Sequence, residues 1–268
     1  MTDDVRDLLL GLLASGLSAA LAWSARAFVG RRRLGRTREF FGLPAHSEAL
    51  LVVNKDAGGA DLAVARYDTY ALLELAALIK ECGARAQVLA HDEARRGFGE
   101  LAEFCVGGPY SNRRTAAHLA ALLPGIRVET DPRPERNAFV IGDERYALDH
   151  GRSEYVLLAR LTTGREELSR PVFLLCGQRS VNNQAAARYL VNHQERLRRR
   201  YRRDSFVLLL RVVNSAAYGP DVVELVGDVT HAALTRAEPV PEPRSEAGTG
   251  AAASAESETE SESESDGG

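Results

Sequence analysis

Residues 173–182 read Phe-Leu-Leu-Cys-Gly-Gln-Arg-Ser-Val-Asn, and residues 183–190 continue as Asn-Gln-Ala-Ala-Ala-Arg-Tyr-Leu. A short apolar run that ends in glycine and leads into small residues is typical of a buried strand that turns into a helix. A similar stretch stands at residues 104–112, Phe-Cys-Val-Gly-Gly-Pro-Tyr-Ser-Asn, ahead of an alanine-rich helical pattern. Two units of this kind predict an α/β fold built on parallel strands.

The rest of the chain continues the alternation of strands and helices. A hairpin is predicted over residues 138–148, with its turn at Gly142-Asp143, and a glycine-rich loop over 56–60. We therefore expect a Rossmann-like, mostly parallel sheet with helices on both faces and an inserted β-hairpin. The other predicted strands are 48–54, 84–90, 101–106, 126–129, 155–161, 171–176, 206–213 and 222–226, and the predicted helices are 68–79, 113–123 and 181–201.

The N-terminal region predicts a membrane anchor. Residues 8–25 carry no charge, and a helix of that length covers about 27 Å, close to the hydrocarbon thickness of a bilayer. Arginines follow the apolar stretch and acidic residues precede it, which favours an uncleaved anchor over a signal peptide. The alternative is an ordinary core or amphipathic helix, because Gly11, Ser15, Gly16 and Ser18 lower the hydropathy of the run.

On the anchor interpretation the chain has five segments. They are a short extracytoplasmic N-terminus (1–7), a transmembrane helix (8–29), a basic juxtamembrane linker (30–47), the Rossmann-like domain (48–235) and a disordered acidic tail (236–268). The positive-inside rule then places the protein in the inner cell membrane as a single-pass protein with its C-terminal domain in the cytoplasm. The small residues of the anchor also suggest packing against a second copy, and so a homo-oligomer.

Composition and charge exclude several classes of protein. Apolar residues make up 45% of the 268 residues and charged residues 26%, which argues against collagen-like, wholly disordered and polytopic membrane chains. Residues 237–268 hold nine acidic residues and one arginine, and residues 1–236 hold 28 acidic and 33 basic residues. This mild basic excess, with only 6% aromatic residues, does not predict a nucleic-acid partner.

Cysteine and histidine spacing predicts neither a metal site nor a cofactor. The three cysteines, Cys82, Cys105 and Cys176, form no CxxC pair, and the six histidines form no HExxH motif. Cys105 and Cys176 end apolar runs, where a free cysteine acts as a small hydrophobe. Three cysteines without a disulfide framework also indicate a reducing compartment.

The two glycine loops are the predicted ligand site. Glycine lets the backbone approach a ligand, serine and asparagine supply donors, and the N–H groups at a helix start favour an anion such as phosphate. In a parallel sheet both loops fall beyond the carboxyl ends of the strands. The predicted ligand-binding residues are Gly107, Gly108, Ser111, Asn112, Gly177, Ser180 and Asn182, with Arg179 as a counter-charge. The alternative is that the same residues only turn and cap the chain.

These two loops, GGPxSN and CGxxSxNxxAAxxL, resemble those of the SLOG superfamily of Rossmann-like nucleotide-sensing domains. The resemblance covers about residues 48–213 and implies a nucleotide or nucleotide-derived ligand on the glycine loops. Some members cleave nucleotide glycosidic bonds. The PGGxGTxxE run that supplies a catalytic glutamate in one branch is missing here, so the resemblance implies binding more than hydrolysis.

The sequence thus predicts a sensor or regulatory module that binds a nucleotide or another phosphorylated small molecule. An enzyme of nucleotide glycosidic-bond cleavage is the first alternative, and its carboxylate candidates are Asp56, Asp68, Glu100 and Glu103. Asp68 is expected to cap a helix, and Glu100 and Glu103 to lie on a solvated helix face. An interaction protein without a small-molecule site is the second alternative.

Arginines also crowd the end of the predicted helix 181–201, at positions 196, 198, 199, 200, 202 and 203. They are explained by the helix dipole, which favours positive charge at a helix C-terminus. The functional alternative is contact with anionic lipid headgroups.

Overall fold

The computed structural model describes residues 2–54, 63–94, 97–130, 133, 137–162 and 169–236, with side chains from residue 15 onward. The predicted acidic tail therefore lies outside the described residues apart from Arg236. The predicted glycine-rich loop at 56–60, with Asp56, lies outside them as well.

Helices and strands follow the predicted order closely. The helices are α1 Thr2–Phe41, α2 Arg66–Glu81, α3 Arg113–Leu122, α4 Ser180–Tyr201, α5 Ser215–Tyr218 and α6 Thr230–Leu234. The strands are β1 Glu48–Val53, β2 Arg85–Ala90, β3 Ala102–Val106, β4 Ile126–Glu129, β5 Ala138–Ile141, β6 Glu144–Ala147, β7 Ser153–Leu161, β8 Val172–Gly177, β9 Phe206–Val213 and β10 Val223–Asp228.

A seven-stranded sheet forms the centre of the described part of the chain, in the order β10-β9-β7-β8-β3-β1-β2. Strands β2, β1, β3 and β8 are parallel, and β7 is antiparallel to both of its neighbours, β8 and β9. Strand β9 therefore runs in the same direction as β2, β1, β3 and β8, whereas β7 and β10 run in the opposite direction, so five of the seven strands point the same way. The predicted mostly parallel α/β sheet is confirmed.

Helices cover both faces of this sheet, as predicted. One apolar core joins α1, α2 and α4 to residues such as Phe104 and Phe173 on one face. A second core joins α3 and α6 to the opposite face, where Cys105 and Leu174 point. The predicted hairpin forms as β5 and β6, and it pairs with β4 in a separate three-stranded antiparallel sheet that packs into this second core.

The predicted linker over residues 30–47 is wrong, because α1 continues through the arginines to Phe41. Arginine has a high helix propensity, so a run of arginines does not end a helix. Phe40, Phe41 and Leu43 are fully buried and belong to the first core. The helix ends at Gly42, whose φ of +64° and the bond from the Leu43 N–H to the Arg38 carbonyl form a glycine C-cap.

The predicted transmembrane helix over residues 8–29 lies within α1. Among the described residues, no helix combines the length and the apolar character needed to cross a membrane. The transmembrane part of the fold prediction is therefore not supported.

We expect Phe41→Ala to destabilise the protein by about 3–5 kcal/mol, since a fully buried phenylalanine is lost from the core. Phe28→Ala removes the same atoms from the same helix at a position that is 54% exposed, and we expect a change below about 1 kcal/mol. Urea denaturation of both variants measures the difference. Equal effects would contradict the assignment of the end of α1 to the core.

Candidate functional site

Three parallel strands end close together on one edge of the sheet: β1 and β3 end level with each other, and β8 runs two residues further to Gly177. Val53 of β1 pairs with Val106 of β3, and Val106 pairs with Leu175 of β8. The residues that follow, Asn54, Gly107-Gly108 and Gly177, therefore lie beside one another. Helices α2 and α3 leave this edge on opposite faces of the sheet, which is the arrangement that opens a ligand crevice in α/β folds.

The two glycine corners are in direct contact. A Cβ on Gly108 would lie 3.1 Å from the carbonyl oxygen of Gly177, and a Cβ on Gly177 would lie 2.7 Å from the Asn183 Oδ1. Gly107 has a φ of +116°, in the region that favours glycine. Glycine at these corners is thus a requirement of the fold as well as of any ligand.

A cavity of about 220 Å³ opens where the corners meet. Five of the predicted site residues line it: Gly108, Ser111, Gly177, Arg179 and Ser180. Asp68, one of the predicted carboxylate candidates, also lines the cavity. The other polar and aromatic residues of the lining were not predicted as site residues, and these are Asn54, Tyr110, Glu129, Thr130, Asn137, Phe139, Gln178 and Asn183. Position directly after a parallel strand is the sequence signal that would have found Asn54.

The other three predicted site residues, Gly107, Asn112 and Asn182, lie behind the cavity wall. Asn112 is fully buried and caps α3 by accepting from the N–H groups of Arg114 and Thr115, while its Nδ2 donates to the Val52 and Val106 carbonyls. Asn182 is also fully buried, and its Oδ1 accepts from the Arg179 N–H. Both asparagines therefore fix the loops, and a direct ligand contact by them stays a prediction.

Most backbone N–H groups of the loops are occupied by the protein. Those of Gly107 and Gly177 donate to the Leu175 carbonyl and the Asn183 Oδ1. Those of Ser111 and Asn112 both donate to the Gly108 carbonyl. Within the described residues, the N–H groups of Gly108 and of Ser180, the first residue of α4, donate no hydrogen bond. Both residues line the cavity, where a free amide can donate to an anion.

Arg179 is held by a buried carboxylate. Its Nη1 donates to the Glu154 Oε1 at 2.6 Å, and Glu154 also accepts from the Gly151 N–H and the Asn182 Nδ2. Burial raises the pKa of Glu154, but these three hydrogen bonds outweigh burial and lower it. Arg179 therefore lines the cavity in an orientation that Glu154 fixes, and the Glu154 carboxylate balances part of its positive charge.

The cavity also presents acceptors. Asp68 is fully buried, and its Oδ1 accepts from the Asn183 Nδ2 at 2.8 Å. The prediction that Asp68 caps α2 is wrong: the N-cap is Ala65, and Asp68 lies in the first turn. Asn54 is only 9% exposed, and its buried Oδ1 accepts no hydrogen bond from the described residues.

The environment of Glu103 differs most from the one that the sequence predicts. It lies in β3 and is 2% exposed, so a solvated helix face is wrong. Its carboxylate accepts two bonds of 2.8 Å from Arg114 and lies 3.1 Å from the His118 Nε2 and 3.0 Å from the Cys105 Sγ. Burial raises the pKa of Glu103, but the bonds from Arg114, His118 and Cys105 lower it to about 2.

Glu103, Cys105 and His118 also form a group of potential metal ligands whose ligating atoms lie within 4.8 Å of one another. The Arg114 guanidinium already occupies both carboxylate oxygens, which disfavours a second cation there. The prediction that the protein holds no metal stays a prediction.

The three cysteines are buried and free. Burial raises the pKa of Cys82 to about 11 and that of Cys176 to about 12, and it also raises the pKa of Cys105. Thiols with such pKa values hold almost no thiolate at neutral pH, so a cysteine nucleophile is not indicated at this site.

The fold and the cavity thus define an α/β domain with a cleft of about 220 Å³ at the carboxyl edge of its sheet. No family model, curated protein or solved structure matches the chain. The resemblance to the SLOG superfamily therefore stays a prediction based on the two loops.

We expect Glu103→Gln to lower the free energy of unfolding at pH 7 by about 3 kcal/mol, because it breaks a buried ion pair. The pKa of Glu103 falls from 4.5 to about 2 on folding, so its carboxylate stabilises the fold above pH 4.5, and this contribution is lost as the pH falls toward 2. Urea denaturation across this range should show the two proteins converging at low pH. The exposed Glu100→Gln serves as the control, with a change within about 0.5 kcal/mol.

Proposed function

We propose that the domain binds a nucleotide or another phosphorylated small molecule in this cavity and acts as a sensor or regulatory module. The observation that carries the proposal is the meeting of the two glycine corners at one cavity. Its lining contains Arg179 and two N–H groups, those of Gly108 and Ser180, that donate no hydrogen bond within the described residues. A helix N-terminus beside a cation is a favourable site for a phosphate.

The acceptors of the same cavity favour a nucleotide over a simple anion. The buried Asn54 Oδ1 accepts no hydrogen bond from the described residues, and a buried acceptor without a donor is costly. Sugar hydroxyl and base amino groups supply such a donor, while the Tyr110 side chain, which is 77% exposed, offers an aromatic surface. A nucleotide therefore meets both kinds of lining group, which a free phosphate ion does not.

An interaction protein without a small-molecule site would have its two corners filled by side chains. The corners instead leave an open volume of about 220 Å³, and this observation favours the binding proposal over that alternative.

We expect Ser180→Pro to remove the ligand with little effect on the fold. Ser180 is the first residue of α4, where proline is tolerated, and Arg179 before it has the extended conformation that precedes proline (φ −142°, ψ 163°). The substitution deletes the N–H that an anion would accept from. Mass spectrometry of small molecules released from the purified protein should show a loss of a phosphorylated compound of about tenfold or more.

Ser180→Ala is the matched control, because it removes the hydroxyl and keeps the N–H. It should retain the released compound at the wild-type level. Equal amounts in the proline variant, or no phosphorylated compound in the wild type, would refute the proposal.

A specific observation favours cleavage of a nucleotide glycosidic bond as a second candidate. The fully buried Asp68 lines the cavity, and Asn183 holds it in place at 2.8 Å. A carboxylate in this position is suited to act as a general acid or base on a bound sugar.

A product assay distinguishes the two candidate functions, ligand sensing and cleavage of a nucleotide glycosidic bond. If the protein is an enzyme, incubation with adenosine 5′-monophosphate should release adenine and ribose 5-phosphate, and Asp68→Asn should lower the rate by about 100-fold or more. Asn137→Asp provides a comparison at another polar lining position. Retention of the intact nucleotide by the wild type would assign the site to sensing alone.

A further inference from the structure

Two arginine-rich segments far apart in the sequence come together in the fold. One belongs to α1 and the other to the end of α4, and α1 packs along α4 with Arg33 bonded to Glu195 at 3.3 Å. Between them lies a groove of about 350 Å³, larger than the cavity at the glycine corners. We call it the arginine groove, and its lining is Arg36, Glu39, Phe40, Arg198, Arg199, Arg202 and Arg203.

The charges of the arginine groove are not balanced. Glu39 pairs with Arg203 at 2.7 Å, and Glu195, which is not part of the lining, lies 2.6 Å from Arg199 and 3.8 Å from Arg198. In the part of the chain that the structure describes, Arg36 and Arg202 make no ion pair. Burial, and next the charge of Arg36, lower the pKa of Arg198. The helix dipole of α4 cannot account for Arg36, which is contributed by another helix.

The stretch of α1 that leads into the groove exposes large apolar side chains. Trp23 is 75% exposed and Phe28 54% exposed, and Leu17, Leu21 and Val29 are exposed to a similar degree. Phe28 and Arg36 are eight residues apart, or about 12 Å along the helix. Apolar side chains and an unbalanced cationic groove therefore follow each other along one helix.

We propose that the arginine groove and the adjoining exposed part of α1 form a surface that binds an anionic lipid bilayer. The arginines would contact lipid phosphates, and Trp23 and Phe28 would enter the interfacial region of the bilayer. Aromatic and arginine side chains are the residues that favour this region.

A membrane fits these observations better than a nucleic acid. The aromatic side chain of the groove, Phe40, is only 1% exposed and offers no stacking surface to a base. A polyanion in water would also leave Leu17, Leu21 and Trp23 uncovered. A bilayer supplies anionic headgroups and an apolar layer together.

The single tryptophan makes the proposal directly measurable, because the intrinsic tryptophan fluorescence of the full chain comes from Trp23 alone. Vesicles of phosphatidylcholine containing phosphatidylglycerol should shift its emission to shorter wavelength. Each groove arginine that contacts the surface is worth about fivefold in lipid affinity, so Arg36→Gln/Arg202→Gln, at two exposed positions, should raise the half-saturating lipid concentration by about 25-fold.

Arg113→Gln/Arg127→Gln is the control, since it removes the same charge from exposed positions in the opposite layer. It should leave the half-saturating lipid concentration within about threefold of the wild type, because these arginines lie off the proposed surface. Equal vesicle binding by the groove variant and the wild type would overturn the proposal. So would a blue shift that depends on protein concentration without lipid, because it marks association with a second copy. Full reversal of vesicle binding by inorganic phosphate, or a blue shift produced by single-stranded RNA in place of vesicles, would overturn it as well.

Discussion

The in-register parallel pairing of β3 with β8 is the constraint on which the candidate site depends. Phe104 pairs with Phe173 and Val106 with Leu175, so both strands end close together, and the Gly107 N–H bonds to the Leu175 carbonyl. A shift of one residue would move every inward side chain to the other face and separate the glycine corners. The stacked rings of Phe104 and Phe173, with centroids 4.9 Å apart, stabilise this register within the first core.

Patterns that depend on burial could be predicted from the sequence. A strand covered on both faces is mostly apolar, so β1, β8 and β9 stand out as largely apolar runs, and β3 does so apart from the buried Glu103. The order of strands in the sheet has no such signal, and the insertion of antiparallel β7 between β8 and β9 could not be predicted. The misplaced linker has a related cause. Gly42 and Pro44 mark a turn, but Phe40 and Phe41 just before it are core residues at the end of a long helix.

The candidate site could be predicted only in part, because residue types do not show where their hydrogen bonds go. The loops at Gly108 and Gly177 meet as predicted, yet Asn112 and Asn182 use their side chains to fix the backbone. Asn54, Asp68 and Asn183 come to the cavity from β1, α2 and α4, which only the folded sheet brings together. Glu103 shows the same limit: its partner Arg114 lies eleven residues away, beyond the range of any local pattern.

The same two strands also connect the cavity to the region where α1 enters the fold. Phe40 and Phe41 at the end of α1 pack against Phe173, with ring centroids 6.0 and 5.3 Å away, near the start of β8. The cavity lies at the opposite end of β8 and β3, about 15–20 Å further along for strands of this length. Arg160, buried in β7, adds a hydrogen bond to the Phe40 carbonyl and others to the carbonyls of Arg203 and Asp204. The arginine groove and the cavity are therefore connected through one sheet, so the proposed binding of a lipid surface at α1 would fix the orientation of the cavity relative to the bilayer.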